Sequence, residues 1–304
     1  IDYKDLAKDL AAYVKDMGYT AIELLPVTEH PLDDSWGYQC TGYFAPTSRF
    51  GTPKDFMWFV NHMHKNGILV LLDWVPAHFC KDIQGLYEFD GTCCYEYSDP
   101  NKREHAAWGT RVFDYGRPEV KSFLFSSARF WLEEYHADAL RVDGVSSMLY
   151  LNFGVDDPAR KKYNERGGEE DLAAVAFLQT LSTVIGKRVP GAATYAEESS
   201  AWPLVTYPPE KGGLGFHYKW DMGWMNDTLN YFRTAPEYRG EAYHKLTFSM
   251  LYYYSDRYLL PLSHDENVHG KATVLQKMHG DYTGKFPQGR ALYLYTVSYT
   301  HLTL

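Results

Sequence analysis

Four stretches of the chain carry apolar residues at helical spacing, and each is followed by a short apolar run of a different period. Over residues 5–17, Leu6, Leu10, Tyr13, Val14 and Met17 fall on one helical face, and Gly18 ends the pattern. The run Ala21-Ile22-Glu23-Leu24-Leu25 then reads as a buried strand closed by Pro26. The unit repeats. Residues 54–66 form an amphipathic helix through Phe56, Phe59, Val60 and Met63, stopped by Gly67, and Ile68-Leu69-Val70-Leu71-Leu72 is the next strand. Residues 118–135 put Val120, Phe123, Leu124, Ala128, Trp131 and Leu132 inward, before a strand over 139–143. A helix over 172–185 precedes a short strand over 193–197, and 258–262 reads as a later strand. Helix, glycine and apolar strand in series imply parallel strands joined by right-handed crossovers. So many units in about 300 residues predict an α/β fold of the (β/α)8 barrel type rather than an open sheet.

Composition narrows this little. The chain has 304 residues, 45% of them hydrophobic, enough for one large domain. Its net charge is −9 with no basic block, so nucleic acid and anionic membrane are not expected partners. No apolar run reaches membrane-spanning length. Cys40, Cys80, Cys93 and Cys94 have no zinc-binding spacing and read as reduced thiols, which predicts a cytoplasmic protein. No Gly-rich phosphate loop follows any strand. The 26 tyrosines suit either an aromatic core or a sugar-binding surface.

The informative polar residues sit where strands end, which in a (β/α)8 barrel is the catalytic face. One strand finishes in Asp73 with His78 five residues on; another in Arg141-Val142-Asp143; another in Glu197-Glu198; and 258–262 runs into Ser263-His264-Asp265-Glu266. A buried carboxylate costs several kcal/mol unless paired. One such residue is explained by an ion pair or a helix cap, but the set converging on one end points to chemistry. Retaining glycoside cleavage needs an ionised carboxylate and a protonated carboxyl on neighbouring elements. Asp143 and Glu197 fit. Arg141, two residues before Asp143, shares its side of the strand and keeps it ionised. Glu197 needs a raised pKa; repulsion from neighbouring Glu198 is one source, although adjacent strand residues point to opposite faces. Asp265 suits binding of sugar hydroxyls, as do His78 and His264. The scheme requires no metal and no cofactor.

At these residues the chain resembles the α-amylase superfamily (glycoside hydrolase family 13). Its four signature regions appear in order: Asp73-Trp74-Val75-Pro76-Ala77-His78, Leu140-Arg141-Val142-Asp143-Gly144-Val145, Ala196-Glu197-Glu198-Ser199 and Leu262-Ser263-His264-Asp265-Glu266. The resemblance implies Asp143 as nucleophile, Glu197 as general acid/base and Asp265 as transition-state stabiliser. Asp73, His78, Arg141 and His264 would then bind the sugar beside the scissile bond. Finer wording is similar to the glucan-branching enzymes of the superfamily: Glu23-Leu24-Leu25-Pro26, Ser35-Trp36-Gly37-Tyr38-Gln39, Trp108-Gly109-Thr110, Ser147-Met148-Leu149-Tyr150-Leu151, Lys219-Trp220-Asp221-Met222-Gly223-Trp224 and His264-Asp265-Glu266-Asn267-Val268-His269-Gly270-Lys271. Trp36, Tyr38 and Gln39 join the substrate-binding set, with Tyr38 as the stacking residue. The implied activity cleaves α-1,4-glucan and transfers the chain to form α-1,6 branches, with a glucan as partner and a monomer expected. An α-amylase-type hydrolase and a non-catalytic glucan-binding barrel are the alternatives.

The strands visible match the second to seventh of such a barrel. The first and eighth, and the flanking β-domains of the family, are not in the chain, so residues 1–296 are expected to be a partial catalytic domain. The stretch 297–304 does not resemble the family and is expected to be foreign to it. A barrel with open edges predicts instability of this polypeptide alone. Trp74, Trp131 and Trp220 read as core, His62 and His64 as a solvated helix face, Glu29 and His30 as loop-stabilising or substrate-binding, and 165–171 as a solvated acidic run.

Overall fold

The computed structural model describes residues 1–105, 107–268 and 270–301; His269 of the stretch 264–271 and positions 302–304 lie outside the described residues. The described chain divides into two compact units, residues 1–197 with 205–217, and 198–204 with 218–304.

In the first unit α1 (Tyr3–Asp16) leads into β1 (Ala21–Leu24). Asp2 caps the helix by accepting from the Asp5 amide. Its buried stripe is Tyr3, Ala7, Ala11 and Val14, and Leu6, Tyr13 and Met17 are exposed. The stripe lies about one position from the one that the apolar pattern picks out, because α1 packs on its neighbour through small residues. After β1 the chain forms an antiparallel pair, β2 (Thr28–Glu29) and β3 (Gly42–Pro46), with the Tyr38 loop between them. α2 (Pro53–Lys65) opens with a reciprocal capping box between Thr52 and Asp55 and buries Phe56, Phe59, Val60 and Met63, the four residues its periodicity selects. β4 (Leu69–Trp74) follows. The chain then makes an antiparallel excursion, β5 (His78–Phe79), β6 (Glu104–His105) and β7 (Thr110–Val112), in the order β5-β7-β6. α3 (Pro118–Glu133), β8 (Ala139–Val142), α4 (Val145–Leu149), α5 (Leu172–Arg188) and β9 (Ala193–Ala196) complete the unit.

β1, β4, β8 and β9 pair in that order, all parallel. The helices between them cover the sheet, as the alternation predicts. The register pairs Asp73 with Arg141 and Arg141 with Tyr195, so polar strand ends come level with one another. Trp74 and Trp131 are core, each 1% exposed, and the buried Trp74 indole donates to Ser127 Oγ at 3.2 Å.

Two local readings differ, and a third takes one of its two alternatives. His64 is not merely solvated: its Nε2 lies 2.8 Å from Asp138 Oδ2, and the same carboxylate oxygen accepts from the Val70 amide, tying α2 to the start of β4. Asp171, at the end of the acidic run, is buried; it caps α5 and takes the Tyr97 hydroxyl and the Lys102 ammonium. Its charge has partners far along the chain that local pattern does not reveal. Glu29 and His30 are loop-stabilising: Glu29 accepts from the Ser48 amide and pairs with Arg49, and His30 Nδ1 contacts Thr28 O at 2.8 Å.

The second unit holds β10 (Tyr218–Trp220), α6 (Met222–Arg233), α7 (His244–Thr247), β11 (Tyr258–Leu259), α8 (Val274–Lys277) and α9 (Tyr282–His301). β10 and β11 are parallel, with Lys219 opposite Tyr258 and Trp220 opposite Leu259. The apolar pattern does not pick out β10, whose three residues include a lysine. Trp224, Met225, Leu229 and Tyr299 form one core cluster, and Phe232, Met278 and Leu292 another. The described residues from 297 onward continue α9.

Candidate active site

Arg141 organises the ends of β4, β8 and β9. It is fully buried on a strand whose other residues, Ala139, Leu140 and Val142, are also buried, so the apolar strand fixes a cation where water cannot screen it. Its Nη1 donates to Asp73 at 2.7 and 2.8 Å and to Asp143 Oδ1 at 2.7 Å. Its Nη2 stands 3.5 Å from Glu197 Oε2. Three carboxylates thus share one guanidinium. The Tyr38 hydroxyl donates to Asp73 Oδ2, and the Tyr38 ring has the guanidinium carbon 5.9 Å from its centre.

The backbone aims the two principal acids. The Asp143 amide donates to Trp74 O, and the Glu197 amide to Val142 O, each at 3.0 Å, so both sit one residue beyond the paired strands. Gly144 then turns in the left-handed region (φ 63°), and its amide donates to Glu197 Oε2 at 2.7 Å. A side chain there would place Cβ 3.2 Å from both Ala77 Cβ and Ser147 Oγ. Gly37 is similarly forced: a Cβ would meet Pro26 O at 2.1 Å, so the Tyr38 loop approaches β1 closely only through glycine.

Electrostatics separate the groups. Burial and the Asp143 charge raise the Glu197 pKa to about 8 against the opposing pull of Arg141. Burial likewise raises Asp73, with Asp143 adding to it and Arg141 resisting. Burial lowers His78 to about 4, so His78 is neutral at pH 7; its Nε2 lies 3.9 Å from Asp143 Oδ2. Glu198 plays no part in the Glu197 shift. Its carboxylate is buried in the second unit, where Lys219 Nζ donates to it at 2.6 Å.

The structure therefore brings together Tyr38, Asp73, His78, Arg141, Asp143 and Glu197 within the first unit. Gln39 is half-buried beside Tyr38 in sequence, and Trp36 is 43% exposed in a left-handed turn (φ 52°). Asp265 and His264 belong to the second unit, where His264 Nε2 lies 3.4 Å from Asp265 Oδ1 and the Asp265 amide donates to Ser263 Oγ. Residues without an assigned role prove to support the site. The buried Tyr43 hydroxyl donates to Val75 O and His78 O, and that of Tyr115 to Pro76 O and Ala77 O, so two tyrosines clamp the turn carrying His78. His105 stacks on Trp108 at 3.6 Å, and Trp108 lies 5.0 Å from the His78 ring. Only the inward spacing of aromatics hinted at them. Among the described residues no group of His, Cys, Asp and Glu is arranged to hold a metal.

The alpha amylase catalytic domain family matches residues 6–111. A crystal structure of α-amylase from Geobacillus thermoleovorans complexed with acarbose superposes with a TM-score of 0.60 at 18% identity, over 84% of this chain and 53% of that one. Fold and site thus define the class: the chain has the parallel β/α architecture of part of an α-amylase-type (β/α) barrel. Among curated proteins the chain is similar to the 1,4-alpha-glucan branching enzymes GlgB. It is 57% identical to that of Oceanobacillus iheyensis over 99% of this chain and 47% of the relative. It is 56% identical to that of Methylococcus capsulatus (98% and 40%) and 55% identical to that of Aquifex aeolicus (97% and 46%). The chain spans less than half the length of these relatives.

Proposed function

We propose that the protein to which this chain belongs is a glucan-branching transferase of the retaining type, acting on α-1,4-glucan in the cytoplasm. One observation carries the mechanism: a single buried guanidinium serves Asp143, Asp73 and Glu197 at once. One cation cannot neutralise three carboxylates. The proton deficit falls on the groups that burial penalises most, and Glu197 holds its proton at pH 7. Its Oε2 accepts from the Gly144 amide, which leaves Oε1 to carry the proton toward the leaving oxygen.

Asp143, held by Arg141 at 2.7 Å, attacks C1 of the glucosyl residue as Glu197 protonates the departing 4-oxygen. A covalent glycosyl ester with inverted configuration results. The 6-hydroxyl of a second chain then attacks C1, Glu197 takes its proton, and the Asp143 carboxylate leaves; the second inversion yields an α-1,6 link. Tyr38 packs against the sugar, neutral His78 donates to a hydroxyl, and Asp265 and His264, in the second unit, are binders of sugar hydroxyls. Trp36 and Gln39 extend the binding surface. The high identity to GlgB relatives supports transfer over hydrolysis, and the four free thiols support a reducing compartment.

The test uses the full-length parent protein with linear amylose. New α-1,6 linkages without reducing-end release, lost in Asp143→Ala, are expected. Reducing ends without branches would replace the reading with a hydrolase.

A further inference from the structure

The turn that carries His264 and Asp265 has little to hold it from within. Residues His264–Glu266 make a single 3-10 turn, too short to be rigid by itself. Asp265 is exposed, with His264 Nε2 at 3.4 Å from its carboxylate. The direction in which Asp265 points is therefore set by the groups that fix the two ends of the turn. At the first end stands Ser263, which is buried. Its amide donates to Met225 Sδ at 3.3 Å, and its Oγ accepts from the Asp265 amide at 3.2 Å.

The second end is fixed from α8. Lys277, the last residue of that helix, is 4% exposed. Its ammonium donates to the carbonyl of Glu266, to that of Lys271 at 2.7 Å and to that of Ala272 at 2.6 Å. An ammonium has three N–H donors, and here each has an acceptor, which offsets the burial of the charge. Glu266 directly follows Asp265, so one of these bonds falls one peptide from the site residue. Ala272 is left-handed (φ 71°), a conformation that alanine adopts only at a cost, so its carbonyl is held in place by its surroundings. The platform beneath the lysine is firm. Thr273 and Gln276 form a reciprocal capping box on α8, and Met278 packs with Phe232 and Leu292 in the core. The Lys271–Glu266 ion pair at 3.2 Å is largely exposed, and such pairs contribute little.

We propose that Lys277 is a positioning residue for Asp265: its buried ammonium gathers the carbonyls of Glu266, Lys271 and Ala272 and so fixes the turn on which Asp265 stands. The inference rests on the reading above that Asp265 binds sugar hydroxyls during the reaction. Lys277 does not touch the sugar. It acts on the rate through the aim of Asp265, and not on the capture of glucan chains.

The experiment is a double-mutant cycle in the full-length parent protein, with kcat and KM for chain transfer on amylose as the readouts. Lys277→Met should lower kcat roughly a hundredfold, the loss expected for moving a site group by about 1 Å, and leave KM within about threefold. Lys277→Arg, which keeps the charge and the N–H donors, should recover about tenfold of that loss. Added to Asp265→Asn, Lys277→Met should cost less than about twofold more, because the group it positions is already disabled. If Lys277→Met does not melt cooperatively, Lys277→Gln takes its place in the cycle, with a smaller loss of the same kind. The same fold-loss in both backgrounds, or a kcat for Lys277→Met within about twofold of the parent, would overturn the proposal. A parent that branches amylose equally well as Asp265→Asn would overturn the role of Asp265 and the proposal with it. A parent that converts no glucan would instead overturn the functional reading.

Discussion

Two buried ionic centres, one in each unit, each set a single cation among carboxylates and differ in how many it serves. Lys219 and Glu198 form a pair: one cation, one carboxylate, 2.6 Å apart, both side chains no more than 6% exposed. Each charge has its partner. Arg141 is equally buried but serves three carboxylates, and burial, with the charges of Asp143 and Asp73 added to it, pushes the pKa of Glu197 upward against the pull of Arg141. Stoichiometry, rather than burial or proximity alone, separates a structural ion pair from a site able to hold and release a proton at neutral pH.

The largest effects should come from removing the acids that share Arg141. Glu197→Gln and Asp143→Ala should each lower chain transfer on the order of 10⁴-fold, measured as new α-1,6 linkages in the full-length protein. Melting temperature should change little, because each substitution removes charge from an over-supplied cluster. A variant retaining even a tenth of the activity would break the comparison.

Next come the cations. Arg141→Met leaves buried carboxylates facing one another, and Lys219→Met strands Glu198; each should cost about 3–5 kcal/mol in denaturant unfolding of the full-length protein. The double variant Lys219→Met with Glu198→Gln should recover most of that loss, since it removes a closed pair whole. Asp143→Asn added to Arg141→Met should recover far less, because Asp73 still lacks its partner.

Gly144→Ala should be milder, about 1–2 kcal/mol, from a left-handed turn and two 3.2 Å contacts. It should also lower activity by moving the amide that holds Glu197 Oε2.

The smallest effect is a shift on the pH axis. The Glu197 pKa is raised in the folded chain from 4.5 to about 8. The folded state therefore binds the proton more tightly than the unfolded one. Its contribution to stability is full below pH 4.5 and is lost as pH rises to about 8. Activity should fall on the same alkaline limb as the acid ionises. Asp73→Asn should move that limb to lower pH, because Asp73 adds to the repulsion on Glu197, as a pH–kcat/KM profile would show.

Much of this was legible in the order of residues. The period-2 offset of Arg141 and Asp143 put cation and carboxylate on one side of a strand, and α2 buries the four residues its spacing selects. What local pattern missed depended on distant partners. Glu198 looked like the neighbour that raises Glu197, yet it is neutralised by Lys219, 21 residues on, and Asp143 supplies the repulsion. Asp171 looked solvated until Tyr97 and Lys102 closed over it from 74 and 69 residues away. The Tyr43 and Tyr115 clamps on the His78 turn are hydroxyl-to-carbonyl bonds across the fold, and no spacing rule encodes them. β10 escaped notice because three residues centred on a lysine do not read as an apolar strand.

The most direct test of the shared-cation account is to trap the ester it requires. Full-length Glu197→Gln protein, incubated with an α-glucosyl fluoride whose leaving group needs no acid, should accumulate a glucosyl adduct. Peptide mass spectrometry should place it on Asp143. An adduct on any other carboxylate, or turnover of the fluoride by Asp143→Ala at the rate of the unsubstituted protein, would contradict the account.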